Sequence, residues 1–171
     1  MANGHPHPKA NPEYWRQRIA ELDKKQCKTG AELNAVLQEM VKAHGQLVKA
    51  SCIELVIAEY SAMVTSMPKD TGRAQAGWQI SKAPSESVPP IIKRKKEQTG
   101  VLPEFAELIQ KNMPDELATL ELTTSDVIYI TNNVEYILAL EAGWSVQAPD
   151  GFIGKFLNRV KIGLGRLAAT L

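Results

Sequence analysis

Hydrophobic positions repeat with a helical period over one unusually long stretch of the chain. Leu33, Val36, Leu37, Met40, Val41, His44, Leu47, Val48, Cys52, Leu55, Val56, Met63 and Met67 recur at three- and four-residue steps, which places them along one side of a helix. Thr29 followed by Glu32 supplies a capping box at the start, and Pro68 ends the pattern, so a helix is predicted from about residue 30 to residue 66. At 1.5 Å per residue that rod is about 55 Å long, more than a domain of this size can cover. Part of its apolar side is therefore expected to meet another chain. Gly45 is its expected weak point, since glycine costs about 1 kcal/mol in a helix interior. His44, on the apolar stripe beside it, is expected to be a hydrogen-bonded core histidine.

Shorter patterns follow. Asp70, Thr71 and Gly72 read as a turn and the residues from about Gln75 to Ser81 as a strand, ended by the prolines between Pro84 and Pro90. Pro103 suits a first helical turn, and Phe105, Leu108, Ile109 and Met113 predict a short amphipathic helix closed by Pro114. From Asp126 the run DVIYITNN predicts a strand, with apolar residues on both faces pointing to burial on both sides. Asn133 is expected to cap a short helix from Val134 to Ala142, and Gly143 to end it in the left-handed conformation. Pro149, Asp150 and Gly151 form a tight turn ahead of a last helix carrying Phe152, Phe156, Val160, Leu164 and Leu167, weakened by Gly163 and Gly165.

The expected fold class is α+β: a long N-terminal helix packed on a small β-sheet, with short helices and a C-terminal helix. Residues 29–171 form the single domain, and residues 1–28 are an N-terminal arm and lead-in. The first twelve residues hold three prolines, one glycine and two histidines, too polar a mix to bury surface. His5 and His7 read there as solvated side chains, since two imidazoles without a third ligand make a weak metal site.

A chain of 171 residues with 44% apolar content suits one globular domain, able to bury about 70% of its unfolded surface. The balance of 20 Lys and Arg against 19 Asp and Glu excludes a broadly basic nucleic-acid binder. One dense basic cluster remains, Lys93, Arg94, Lys95 and Lys96, expected as a solvated loop or as a patch facing DNA phosphate. Cys27 and Cys52 have neither a CxxC spacing nor a histidine at ligand spacing, so two free thiols and no metal or cofactor are expected. The amino-terminal residues lack the apolar run of a signal peptide, and no apolar stretch reaches membrane-spanning length. Those features predict a cytoplasmic protein with no membrane contact.

Catalytic templates are missing from the sequence: no GxSxG, no phosphate-binding glycine loop, no HExxH, no dinucleotide fingerprint. The Asp70-Thr71-Gly72 triplet occurs once, whereas aspartic proteases need two such carboxylates sharing a proton. Glu135 and Glu141 lie six residues apart and read as surface or interface charges. No enzyme is expected.

Two segments in fixed order rise above this background. MPKDTGRAQAGWQIS, and later YITNNVEYILALEAGWSVQAPDGFI, together resemble the neck and tail-completion family of long-tailed bacteriophages, over roughly residues 50–165. The matching positions are Pro68, Asp70, Thr71, Gly72, Arg73, Gly77, Trp78, the Ile130 to Asn133 run with Asn132, Tyr136, Leu140, Glu141, Gly143, Gln147, Pro149 and Gly151. Trp144 departs from the family pattern, where small or polar residues are common, and Phe152 stands where a methionine often follows. The resemblance implies a non-enzymatic virion subunit, assembled in the host cytoplasm, that forms a ring at the head–tail junction, with sixfold symmetry the expected one. Implied partners are copies of itself, the head connector, tail terminator or tube proteins, and DNA in the lumen. Arg73 and Glu141 then become either ion pairs between subunits or, more simply, local turn partners. Trp78 reads as a packed aromatic and Trp144 as the better interface anchor. The alternative is a small nucleic-acid-binding protein that uses residues 93–96.

Overall fold

The structure is a computed structural model and describes residues 11–112 and 127–170. Its fold is α+β, with the long helix, the small sheet and the C-terminal helix where the pattern places them. Helix α1, Pro12–Asp23, falls in the stretch read as lead-in. The Asn11 side chain accepts a hydrogen bond from the Glu13 amide at 2.9 Å, and Pro12 occupies the first turn. Helix α2, Gly30–Ser66, then runs 37 residues and passes through Gly45 without interruption. The capping box forms: Thr29 Oγ1 accepts from the Glu32 amide at 3.2 Å, and the Glu32 carboxylate accepts from the Lys28 amide at 2.7 Å.

Two helices cover α2, each over half its length. α1 folds back on the first half, burying Leu22 against Val36 and Ala43 with Trp15, Ile19 and Met40 around them. Arg18 adds an ion pair to Glu39 at 3.3 Å. Helix α6, Ile153–Thr170, covers the second half. It runs antiparallel to α2, because Arg159 pairs with Glu59 at 2.5 Å while Gly163 sits against Leu55. Gly163 permits a close approach there: a Cβ at that position would lie 2.6 Å from a Leu55 methyl.

The sheet has two antiparallel strands, β1 (Trp78–Ser81) and β2 (Tyr129–Asn132), with Trp78 opposite Asn132 and Ser81 opposite Tyr129. β1 is shorter than expected. Gly72, at φ +90°, opens a helical turn, α3 (Arg73–Ala76), in which Gln75 is buried and donates to the Val64 carbonyl at 2.8 Å. Helix α4, Pro103–Lys111, and the short α5, Ile137–Glu141, complete the described elements. The main core joins Tyr60, Met63 and Val64 of α2, with Met67 just after it, to Trp78, Ile137, Phe152 and Phe156. Trp78 meets Phe152 edge to face at 6.3 Å.

Three expectations are corrected. His44 is exposed, not a core residue; its Nδ1 donates to the Met40 carbonyl one turn back at 2.9 Å. It lies on a face of α2 that neither α1 nor α6 reaches. β2 is half-buried rather than enclosed, since Ile53 and Ile57 of α2 back the sheet through Ile80 and Ile128 on one side only among the described residues. Asn133 does not cap the following helix: its amide donates to the Ser85 and Ser87 carbonyls at 2.6 and 3.2 Å, and α5 begins only at Ile137. Asn132 takes the turn instead, accepting from the Val134 amide at 3.0 Å. His5, His7, Met113, Pro114 and Asp126 lie outside the described residues.

Candidate functional site

The two motif segments, far apart in the chain, meet. Asn132 of β2 donates to the Ala74 carbonyl of α3 at 2.8 Å, and its Oδ1 lies where a side chain on Gly77 would have to go, 2.6 Å from such a Cβ. Gln147 Oε1 accepts from the Lys69 amide at 2.8 Å, tying the loop after α5 to the turn before α3. Between these ties lies a cleft of about 450 Å³, whose walls include Asp70, Gly72, Arg73, Tyr136, Trp144 and Gln147.

Arg73 is the buried floor of this cleft. Its Nη1 donates to Glu135 at 2.7 Å, its Nε donates to the Pro89 carbonyl at 3.1 Å, and its guanidinium stands over the Tyr136 ring at 5.7 Å. The hydrogen bond to Glu135 raises the Arg73 pKa, and the same bond holds the Glu135 carboxyl below the usual carboxylate range. Burial pushes the Tyr136 phenol up, against the pull of the Arg73 charge.

Glu141, expected as a surface or interface charge, is half-buried and bound within the chain. It sits at the end of α5 and aims its carboxylate at the start of α6, accepting from the amides of Phe152, Ile153 and Gly154 at 2.8, 2.7 and 2.9 Å. These are orphan donors of a helix N-terminus, and the positive end of the helix dipole favours the negative charge. Burial alone would push the Glu141 pKa up, but the three amide donors outweigh it and the pKa is lowered. The backbone on either side is shaped for this contact. Gly143 has φ +85°, with a Cβ there only 2.2 Å from the Pro149 carbonyl oxygen, and Gly151 has φ +68°. Arg73 and Glu141 thus both have partners within the chain, the simpler of the two expectations for them.

The outer lip of the cleft is apolar. Trp144 is 82% exposed and Val146 97% exposed, and Leu138 of α5 is exposed beside them in sequence. Trp78, by contrast, is buried and donates its ring N–H to the Met67 sulfur. Asp70 lies on the rim, 78% exposed, and pairs with Arg94 at 2.9 Å. This contact divides the basic cluster: Arg94 turns inward and donates to the Asp70 and Gly100 carbonyls, whereas Lys93, Lys95 and Lys96 face solvent.

The cleft walls carry neither histidine nor cysteine, and what they offer is the Arg73 floor, the Asp70 carboxylate, the hydroxyls of Thr71, Tyr136 and Ser145, the Gln147 amide and an aromatic lip. Among the described residues no group of three metal-ligating side chains is found, and no helix is long and apolar enough to cross a membrane. Compared with known proteins, the chain matches no family model, no curated protein and no solved structure.

Proposed function

We propose that this chain is a structural virion subunit that forms a ring at the head–tail junction of a long-tailed bacteriophage, joining tail to head connector. The reading is supported chiefly by the meeting of its two motif segments in one cleft with Trp144 and Val146 projecting from its lip. An exposed tryptophan on a tethered loop is the kind of anchor that carries a large share of interface energy. Ring contacts are heterologous, a lip on one subunit entering a different surface on the next, and an asymmetric lip-and-cleft arrangement meets that need. The test is electron microscopy of the purified chain mixed with connector or tail-tube protein from the same genome. Rings in the mixture, lost on Trp144→Ala while the variant stays folded, are expected. A folded chain that forms no ring with either protein contradicts the proposal.

A second reading rests on the exposed Lys93, Lys95 and Lys96, which present three charges to a phosphate backbone. Replacing all three by glutamine weakens DNA binding under this reading and shallows its salt dependence by about three phosphate contacts. Under the ring reading the same variant assembles normally.

A further inference from the structure

Three polar side chains on the cleft wall each use an acceptor to hold the fold and keep their donors. Thr71 Oγ1 accepts from the Arg73 amide at 3.4 Å, Ser145 Oγ accepts from the Gln147 amide at 3.3 Å, and Gln147 Oε1 accepts from the Lys69 amide at 2.8 Å. Two hydroxyl protons and the Gln147 side-chain N–H groups are left over. Arg73 has donors only. Its Nε goes to the Pro89 carbonyl and its Nη1 to Glu135, whereas its Nη2 meets no carbonyl or carboxylate among the described residues. The Arg73 side chain is only 9% exposed, yet it lines the cleft beside Tyr136, which adds a phenol O–H.

We infer that the cleft is a binding site for a small carboxylate that carries an apolar body. An ionised carboxylate has acceptors only, and so answers a wall whose spare groups are donors. Its strongest bond goes to Arg73, where both partners are charged, and the hydroxyls of Thr71, Ser145 and Tyr136 take the remaining lone pairs. The volume of about 450 Å³ lies within the range of small-molecule sites, about 300 to 1,000 Å³. Leu140, Val146 and the Trp144 ring line the same cavity and meet the apolar body. Trp144 and Val146 are 82 and 97% exposed, so covering them removes apolar surface from water.

Charge selects a carboxylate over a phosphate. Arg73 is the cation among the described lining residues, and Glu135, which does not line the cleft, balances it at 2.7 Å. Asp70 is the acid among those residues, and Arg94 balances it at 2.9 Å. The cavity is therefore close to neutral. A monoanion held by several donors suits that balance, whereas a phosphate dianion lacks a second cation and faces the Asp70 carboxylate. A cationic ligand would meet the guanidinium. A neutral amide of the same shape would set its own N–H groups against donors and leave one of them unpaired. The site is built from one copy of the chain and stands whether or not the ring reading holds.

Proton–nitrogen NMR of the full chain tests the site, with phenylacetate as the probe. The chain has three tryptophans, and the Trp144 indole N–H is assigned by its loss in W144F. Phenylacetate at neutral pH should shift that signal saturably, with a dissociation constant of about 1 to 10 mM, the strength a ligand of this size can reach. Phenylacetamide should bind at least tenfold more weakly, and inorganic phosphate should not displace the acid. R73Q removes a buried partner of Glu135 and Pro89 and so endangers the fold. The deciding variants are therefore T71V and S145A, each of which should weaken phenylacetate threefold or more while the rest of the spectrum stays unchanged. Equal affinity for acid and amide would mean that the apolar lip alone binds, and displacement by phosphate would mean a site for a different anion. Undiminished binding by the T71V/S145A double variant, or no saturation by about 50 mM, would mean that the donors do not converge on a ligand. Each of these results overturns the inference.

Discussion

Glu141 is the side chain on which the most local structure depends. Its carboxylate satisfies three amides at the start of α6 and so holds the C-terminal helix against the end of α5. Glu141→Ala leaves those donors in a partly buried site and should cost about 2 kcal/mol of unfolding free energy, measured by urea denaturation. Because folding lowers its pKa below the usual value near 4.5, the charged carboxylate contributes stability that is fully present above that value. The contribution is lost as pH falls through the lower folded value. Wild type should therefore lose stability more steeply than Glu141→Gln between about pH 5 and pH 3. Gly143 is the second residue of consequence. At φ +85°, with the Pro149 carbonyl oxygen where a side chain would start, Gly143→Ala should destabilise by more than about 2 kcal/mol, seen as a drop in melting temperature. Trp144 is the opposite case. Its exposure predicts that Trp144→Ala changes stability by less than about 0.5 kcal/mol in the same melts.

At the scale of elements, the long periodic segments were legible and the tertiary ones were not. The bounds of α2 follow from a capping box, 37 residues of period and a stopping proline, all local signals. Gly143 and Gly151 could be read as turn glycines because a positive φ has a residue-level signature. α1 has local signals, since Asn11, Pro12 and Glu13 are a helix start and Trp15, Ile19 and Leu22 keep the helical step, but the prolines before it give the segment the composition of an arm. The turn at α3 was missed because Gln75 is polar and finds its partner, the Val64 carbonyl, only through the fold. Glu141 reads in the sequence only as a surface or interface charge for the same reason: its donors lie 11 to 13 residues ahead, and nothing in the spacing aims the carboxylate at them. His44 shows the limit of periodicity. A stripe of apolar positions says which side of a helix is sticky, not which stretch of it the same chain will cover.

Taken whole, the molecule is a rod with a cover on each half. α1 and α6 each take one face of α2, the mixed core sits at the α6 end with the sheet, and the cleft opens among the turns beyond Ser66. Among the described residues, exposed apolar surfaces include the lip at Trp144 and Val146 and the stretch from Leu33 to Val48. Exposed apolar patches of a few hundred Å² usually mark contacts with other proteins. Their role is measured most directly by the mass of the full chain in solution, by sedimentation over about 5 to 200 µM, a range that spans weak association. The expected result is a mass that rises above 18.8 kDa as concentration increases. A single 18.8 kDa species at every concentration would contradict the account.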